Sequence, residues 1–214
     1  RIFLTFICLN FCVAHAALVT LSPTQDTYTT SRTDTSPFWT QSYFRTKNDS
    51  GTNPRLGFVE FDSTAVGTAS AATLNLTPEN SELGDDPTGT AVFEVFGIDS
   101  DVTPWSETTL TYSNDDSLIA AGTSLGTFNL TDTGAGSPVN FSSAPLLSFL
   151  NANPGKVTFL IERISFTGGS YVHQFKSSNA ASGSPTLDLI VVPEISSLAL
   201  LMMGFGLVVL NRRR

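Results

Sequence analysis

The sequence predicts an all-β domain, an antiparallel jelly-roll β-sandwich with one short helix, on three grounds. Apolar residues come in brief runs rather than at helical spacing, in a background rich in Thr, Ser, Gly, Asn and Phe, the composition of strands and turns. Turn-forming clusters separate the runs: Asn48-Asp49-Ser50-Gly51, Gly84-Asp85-Asp86-Pro87, Gly134-Ala135-Gly136 and Thr167-Gly168-Gly169. Roughly ten strand-like runs at such spacing suit a sandwich. A chain of 214 residues allows one core.

Strands are expected at 17–21, 26–30, 41–47 and 55–62, then at 72–78, where Leu74 and Leu76 alternate with Thr73, Asn75 and Thr77 to give one apolar face. In 91–99 and 156–166 apolar residues populate both faces, which predicts central strands covered on two sides. Further strands are expected at 108–112, 124–130, 170–175 and 186–192. The one internal helix covers 143–150: Ser143 is a capping residue, Pro145 suits a first turn, and Asn153-Pro154-Gly155 stops it.

The two ends read as processed segments. Ile2 to Ala14 is almost wholly apolar after Arg1, and Ala14 and Ala16 provide small residues at −3 and −1 of a secretory cleavage site. Residues 1–16 are therefore expected to be a signal peptide. Cys8 and Cys12 both lie inside it, so the mature chain has neither disulfide nor thiolate chemistry. At the other end, Ile195 to Leu210 would make an apolar helix of about 24 Å, short for a membrane span but usable. Arg212, Arg213 and Arg214 would hold its end on the cytoplasmic side.

The body between them is acidic. Residues 17–192 hold seven basic and eighteen acidic residues, a net charge of −11. Such a surface repels polyphosphate, which argues against nucleic acid as a partner. Enzymatic chemistry has little material. His173 is the single histidine of the body, which excludes a zinc site of ordinary His/Cys type and leaves any catalytic triad on one residue. The acid pairs Asp85-Asp86, Asp99 with Asp101, and Asp115-Asp116 lie in turn-rich stretches. Solvation is their plain role, with calcium ligation or glycosidase-type catalysis as alternatives. No organic cofactor is expected, and whether a metal binds stays open.

Polysaccharide contact is the better-supplied alternative, because sugars are held by aromatic faces and, where acidic, by Arg and Lys. Tyr43, Arg45 and Lys47 alternate in one expected strand and so share a face. Arg55 and Lys176 are further cations on strands or their ends, although Arg55 and Arg163 also suit structural ion pairs with Glu60 or Glu162. Trp39, after Pro37-Phe38, is the candidate exposed loop aromatic, whereas Trp105 reads as a core or corner residue.

The body resembles the DNRLRE-type domain, a jelly-roll carbohydrate-binding module of bacterial surface and polysaccharide-degrading proteins. The resemblance is carried by Asp26-Thr27-Tyr28, by Arg55 to Asp62, by Ala71 to Leu76, by Trp105-Ser106-Glu107-Thr108-Thr109-Leu110-Thr111-Tyr112, and by Phe175-Lys176-Ser177-Ser178 with Ser184 to Leu189. Where that family often has Ser-Arg-Glu after its phenylalanine, this chain has Ser177-Ser178-Asn179. The tail resembles a PEP-CTERM sorting signal: Val192-Pro193-Glu194, an apolar stretch and a terminal arginine cluster, with Ile195 where a second proline is usual. That resemblance implies an exosortase-type protease as partner, transient anchoring in the inner membrane through the tail, and a Gram-negative bacterium that makes exopolysaccharide. Three regions follow: signal peptide 1–16, sandwich 17–191 and sorting segment 192–214. The expected function is non-catalytic contact with acidic or neutral exopolysaccharide at the cell surface or in the matrix. A structural biofilm or adhesin protein without a sugar site is the alternative, and a polysaccharide-degrading enzyme a remote third.

Overall fold

The computed structural model describes residues 16–33, 35–47, 53–80, 87–168 and 172–192. In chain order the elements are β1 (Ala17–Leu21), β2 (Gln25–Thr30), β3 (Tyr43–Thr46), β4 (Arg55–Asp62), β5 (Ala69–Leu76), β6 (Pro78–Glu79), β7 (Thr90–Asp99), α1 (Asp116–Ala121), β8 (Thr123–Thr131), β9 (Val139–Phe141), α2 (Ala144–Ala152), β10 (Lys156–Phe166), β11 (His173–Lys176) and β12 (Thr186–Val191). They pair as three antiparallel sheets in the orders β1-β12-β5-β9, β2-β4-β10-β7-β8 and β3-β11-β6. The antiparallel β-sandwich predicted from the sequence is the fold that forms.

The main core lies between the five-stranded sheet and the other two. Val59, Phe61, Phe93, Val95, Phe159 and Ile161 of the first meet Leu74, Leu76, Leu187, Leu189, Phe44 and Phe175 of the others. Phe44 presses against β4 where Gly57 has no side chain, and a Cβ there would overlap the Phe44 ring. The alternate residues of the same five-stranded sheet feed a second core: Leu56, Phe58, Ile98 and Leu160 pack on Leu110 and Leu118, with Trp105 at the margin. The sheet is thus covered on both faces, which is why 91–99 and 156–166 carry apolar residues at successive positions.

The segment between β7 and β8 provides that second cover. Trp105 Nε1 donates to Thr158 Oγ1 at 2.7 Å, and the indole tilts against Phe58 with centroids 6.0 Å apart. Glu107 binds β2 in both directions: its carboxylate accepts from Asp26 N at 3.0 Å and its own N–H donates to Gln25 Oε1 at 3.1 Å. The Trp-x-Glu run is a clasp holding the covering segment on the sheet. Two expectations need correction here. Residues 108–112 are turn and irregular structure rather than a strand. Asn114 takes the backbone instead, its Oδ1 accepting from Thr111 N and its Nδ2 donating to Thr109 O, the local competition that draws chains out of ladders. The same segment adds α1, six residues long, beside the expected helix α2.

For α2 the signals hold: Ser143 caps it, its Oγ accepting from Leu146 N at 3.0 Å, and Asn153 ends it. Residues 1–15 and 193–214, with the expected signal peptide and sorting helix, fall outside the described residues. Among the described residues no helix is long and apolar enough to cross a membrane.

Candidate functional site

Five of the seven basic residues of the acidic body lie on one connected part of the fold. Arg45 is on β3 and Lys47 just beyond it; Arg55 opens β4; Arg163 is on β10 and Lys176 on β11. Register joins them: Lys47 bridges to Arg55, Gln174 pairs with Arg45, and Lys176 pairs with Tyr43. The sequence-level grouping of Tyr43, Arg45, Lys47, Arg55 and Lys176 therefore exists in space.

Arg45 is the centre of this region. Its Nε donates to Gln174 Oε1 at 2.7 Å, one Nη to the Tyr28 hydroxyl at 3.2 Å and the other to the Tyr43 hydroxyl at 3.0 Å. The guanidinium also lies 4.3 Å from the Tyr43 ring centroid, within cation–π range. The contact between Tyr43 and Arg45 confirms that alternation puts them on one face. Burial raises the Tyr28 phenol above its usual range, while the Arg45 and Arg55 cations pull it back. Tyr28 and Gln174 were not singled out from the sequence. Tyr28 was legible only as part of Asp26-Thr27-Tyr28, and Gln174 only as a neighbour of His173.

Exposure divides the six candidates. Tyr43, Arg45, Lys47 and Arg55 are buried, Lys176 is half-buried, and Trp39 is 37% exposed. The loop bearing Trp39 is tied to the end of β11 by Asn179 Nδ2, which donates to Trp39 O at 2.6 Å, and by Ser177 Oγ, which donates to Gln41 O at 2.7 Å. Next to it, Phe38 stacks on Tyr28 with centroids 4.4 Å apart. Ser177-Ser178-Asn179, the departure from the usual Ser-Arg-Glu, is thus the fastening between two rim loops. Ser178 N donates to Asp26 Oδ2 at 2.5 Å. Burial pushes the Asp26 carboxyl up to about 6, against the Ser178 hydrogen bonds and helped by the Glu107 charge.

Beneath this rim, Arg163 and His173 form a buried pair, with Nη1 and Nδ1 2.9 Å apart. A guanidinium only donates, so Nδ1 accepts and the imidazole is the neutral Nε2–H tautomer. The ring sits edge-on to Phe93 and Phe166 at 5.2 and 5.1 Å and is 1% exposed. Such an interior position suits a packed structural histidine better than a base that meets substrate. Glu60, which with Glu162 suited an ion pair with Arg55 or Arg163, accepts from Thr24 Oγ1 at 2.8 Å and Gln25 Nε2 at 3.0 Å. Among the loop acids, Asp99 accepts from Asp101 N and Asp101 from Lys156 N, so both shape turns. Among the described residues no group of three or more His, Cys, Asp or Glu side chains is placed to hold a metal ion.

Residues 17–190 match the model of carbohydrate-binding module family 96. The chain belongs to that family. The resemblance drawn from the Trp-x-Glu and neighbouring runs therefore pointed to the right class of protein, one that binds carbohydrate and is typically non-catalytic. No curated protein matches the chain significantly. A family 96 module fits an extracellular or surface protein, and within this one the cationic tyrosine-lined region with Trp39 at its rim has the chemistry for a glycan.

Proposed function

We propose that this family 96 module is an exported, non-catalytic protein of the bacterial surface or extracellular matrix that holds acidic polysaccharide at the Arg45 region. The observation that supports this reading is the grouping of charge: five of seven cations, Arg45, Lys47, Arg55, Arg163 and Lys176, lie on β3 and β11 or against them, in a body whose net charge is −11. Uronate carboxylates would meet Lys176 within the field of the buried Arg45 and Lys47 cations, and sugar faces would meet Trp39 at the rim. Export, sorting by an exosortase-type protease and a Gram-negative, exopolysaccharide-producing source are part of the same proposal. They rest on Ala14 and Ala16, on Val192-Pro193-Glu194 and on Arg212 to Arg214 as sequence alone.

One observation favours a second reading, a matrix or adhesin protein without a sugar site: Tyr43, Arg45, Lys47 and Arg55 are buried. A screen on immobilised glycans, with and without calcium, separates the two. Retention on polyuronates that drops at least fivefold in Lys176→Ala and Trp39→Ala supports glycan binding; retention on no glycan moves the function to matrix structure. Mass spectrometry of the mature C-terminus tests the sorting step, which predicts loss of the apolar tail.

A further inference from the structure

The four-stranded sheet turns Leu74, Leu76, Leu187 and Leu189 into the core, so its alternate residues face outward. On that outer face Leu18 stands directly opposite Ile190 in the β1–β12 register, and Val192 follows two residues further along the chain. All three are exposed, at 68%, 41% and 49% respectively. The rest of the face is polar: Thr20 Oγ1 donates to Asp188 Oδ1, Asn75 Nδ2 donates to Thr186 Oγ1 and Asp188 Oδ2, and Thr73 shares a hydrogen bond with Ser142. The exposed aliphatics are thus confined to one end of the face, where β12 stops. There Val192 N donates to Thr68 O, and in the sequence only Pro193 and Glu194 separate Val192 from the apolar run Ile195 to Leu210. Three extended peptide steps, from Val192 to Ile195, span at most about 11 Å. Whatever holds that run holds the patch beside it.

We infer that Leu18, Ile190 and Val192 form the face by which the sandwich rests on a lipid bilayer while its tail is lodged there. This rests on the proposed sorting of the chain, in which the run Ile195 to Leu210 sits in the inner membrane before cleavage. The interfacial layer of a bilayer takes aliphatic side chains to a depth of about 5–10 Å, and the short tether keeps the patch within that reach. The contact is aliphatic rather than electrostatic, because the one charged residue in the four strands of this sheet is an acid, Asp188. The Arg45 region shares no residue with the patch. The loop from Ser63 to Thr68 joins this end of the fold to Asp62 at the close of β4, whereas Arg55 opens β4 about 23 Å away along the strand and Lys47 bridges to it.

The test uses the full chain carrying Cys8→Ser and Cys12→Ser, so that one added cysteine takes an environment-sensitive fluorophore. The chain is reconstituted in vesicles of phosphatidylethanolamine and phosphatidylglycerol, with nitroxide-labelled lipid as the quencher. The labelled positions are Leu18→Cys and Ile190→Cys on the patch, Ile164→Cys, an exposed position in the later part of β10, and Phe205→Cys in the tail. The expected result is quenching at Phe205, with quenching at Leu18 and Ile190 at least threefold stronger than at Ile164. Quenching at Phe205 but not at Leu18 and Ile190, or equal quenching at Ile164, overturns the inference and leaves the sorting proposal standing. No quenching at Phe205 overturns both. A Leu18 label as shielded in detergent as in vesicles, and exposed on dilution of the protein, assigns the face to a second copy of the chain and overturns the inference.

Discussion

Asp26 shows how a single buried carboxyl can set the behaviour of a rim loop. Its pKa, normally 3.8, is pushed up to about 6 in the folded chain, so the folded state takes up a proton more readily than the unfolded one. Stability contributed by the protonated form is complete below about pH 4 and is lost as pH rises through about 6, on the order of 3 kcal/mol for a shift of this size. Asp115, raised by burial beside Thr29, acts in the same direction. Urea unfolding between pH 4 and 7 should therefore show falling stability with rising pH, and Asp26→Asn should flatten that slope while keeping an acceptor for Ser178 N. An unchanged slope would mean that Asp26 does not carry the proton uptake. Sequence reading saw the alternation of Tyr43, Arg45 and Lys47 because alternation is local. It could not see the burial of Arg45, because its partners Tyr28 and Gln174 reach it only after the strands pair and the sheets pack.

At the scale of elements, most of the strands were legible, and for a physical reason. Strands β4 and β10 start and end where 55–62 and 156–166 were expected, since long runs bounded by turn chemistry admit few alternatives. Elements β6 and β9 have two and three residues, too few for any periodicity to register. Residues 108–112 were misjudged because Thr-Leu-Thr-Tyr alternates like a strand, yet Leu110 serves the second core alone while Asn114 takes the backbone of Thr109 and Thr111. That segment should be a cooperative cover. Trp105→Phe removes the donor to Thr158, a part-buried bond whose acceptor keeps Ser100 as a partner, and should destabilise by about 0.5–1.5 kcal/mol, the net worth of one hydrogen bond. Ser143→Ala at the N-terminus of α2 should cost about 1–2 kcal/mol, because Ser143 Oγ also donates to Leu125 O at 2.6 Å. Chemical denaturation measures both, and a loss confined to amide protection in 100–122 for Trp105→Phe would show that the cover opens before the core.

For the molecule as a whole, the charge pattern sets two opposing ranges of force on an acidic glycan. The body carries −11 overall, so a polyuronate chain approaching from a distance is repelled, while Lys176 and the cations around Arg45 attract once contact is near. Screening distinguishes the ranges, because the Debye length falls from roughly 30 Å at about 0.01 M salt to roughly 8 Å at about 0.15 M and roughly 3 Å at about 1 M. Intermediate salt removes the distant acids from the balance but leaves the contact cations effective; high salt weakens both. Retention on polyuronate should therefore rise from the lowest ionic strength to a maximum near the middle of this range and then fall. Polyuronate affinity measured at the three ionic strengths tests this. A steady fall for polyuronate from the lowest salt would mean that the Arg45 region dominates the field at all distances, and an increase persisting to the highest salt would mean that its cations make no attractive contact with the glycan.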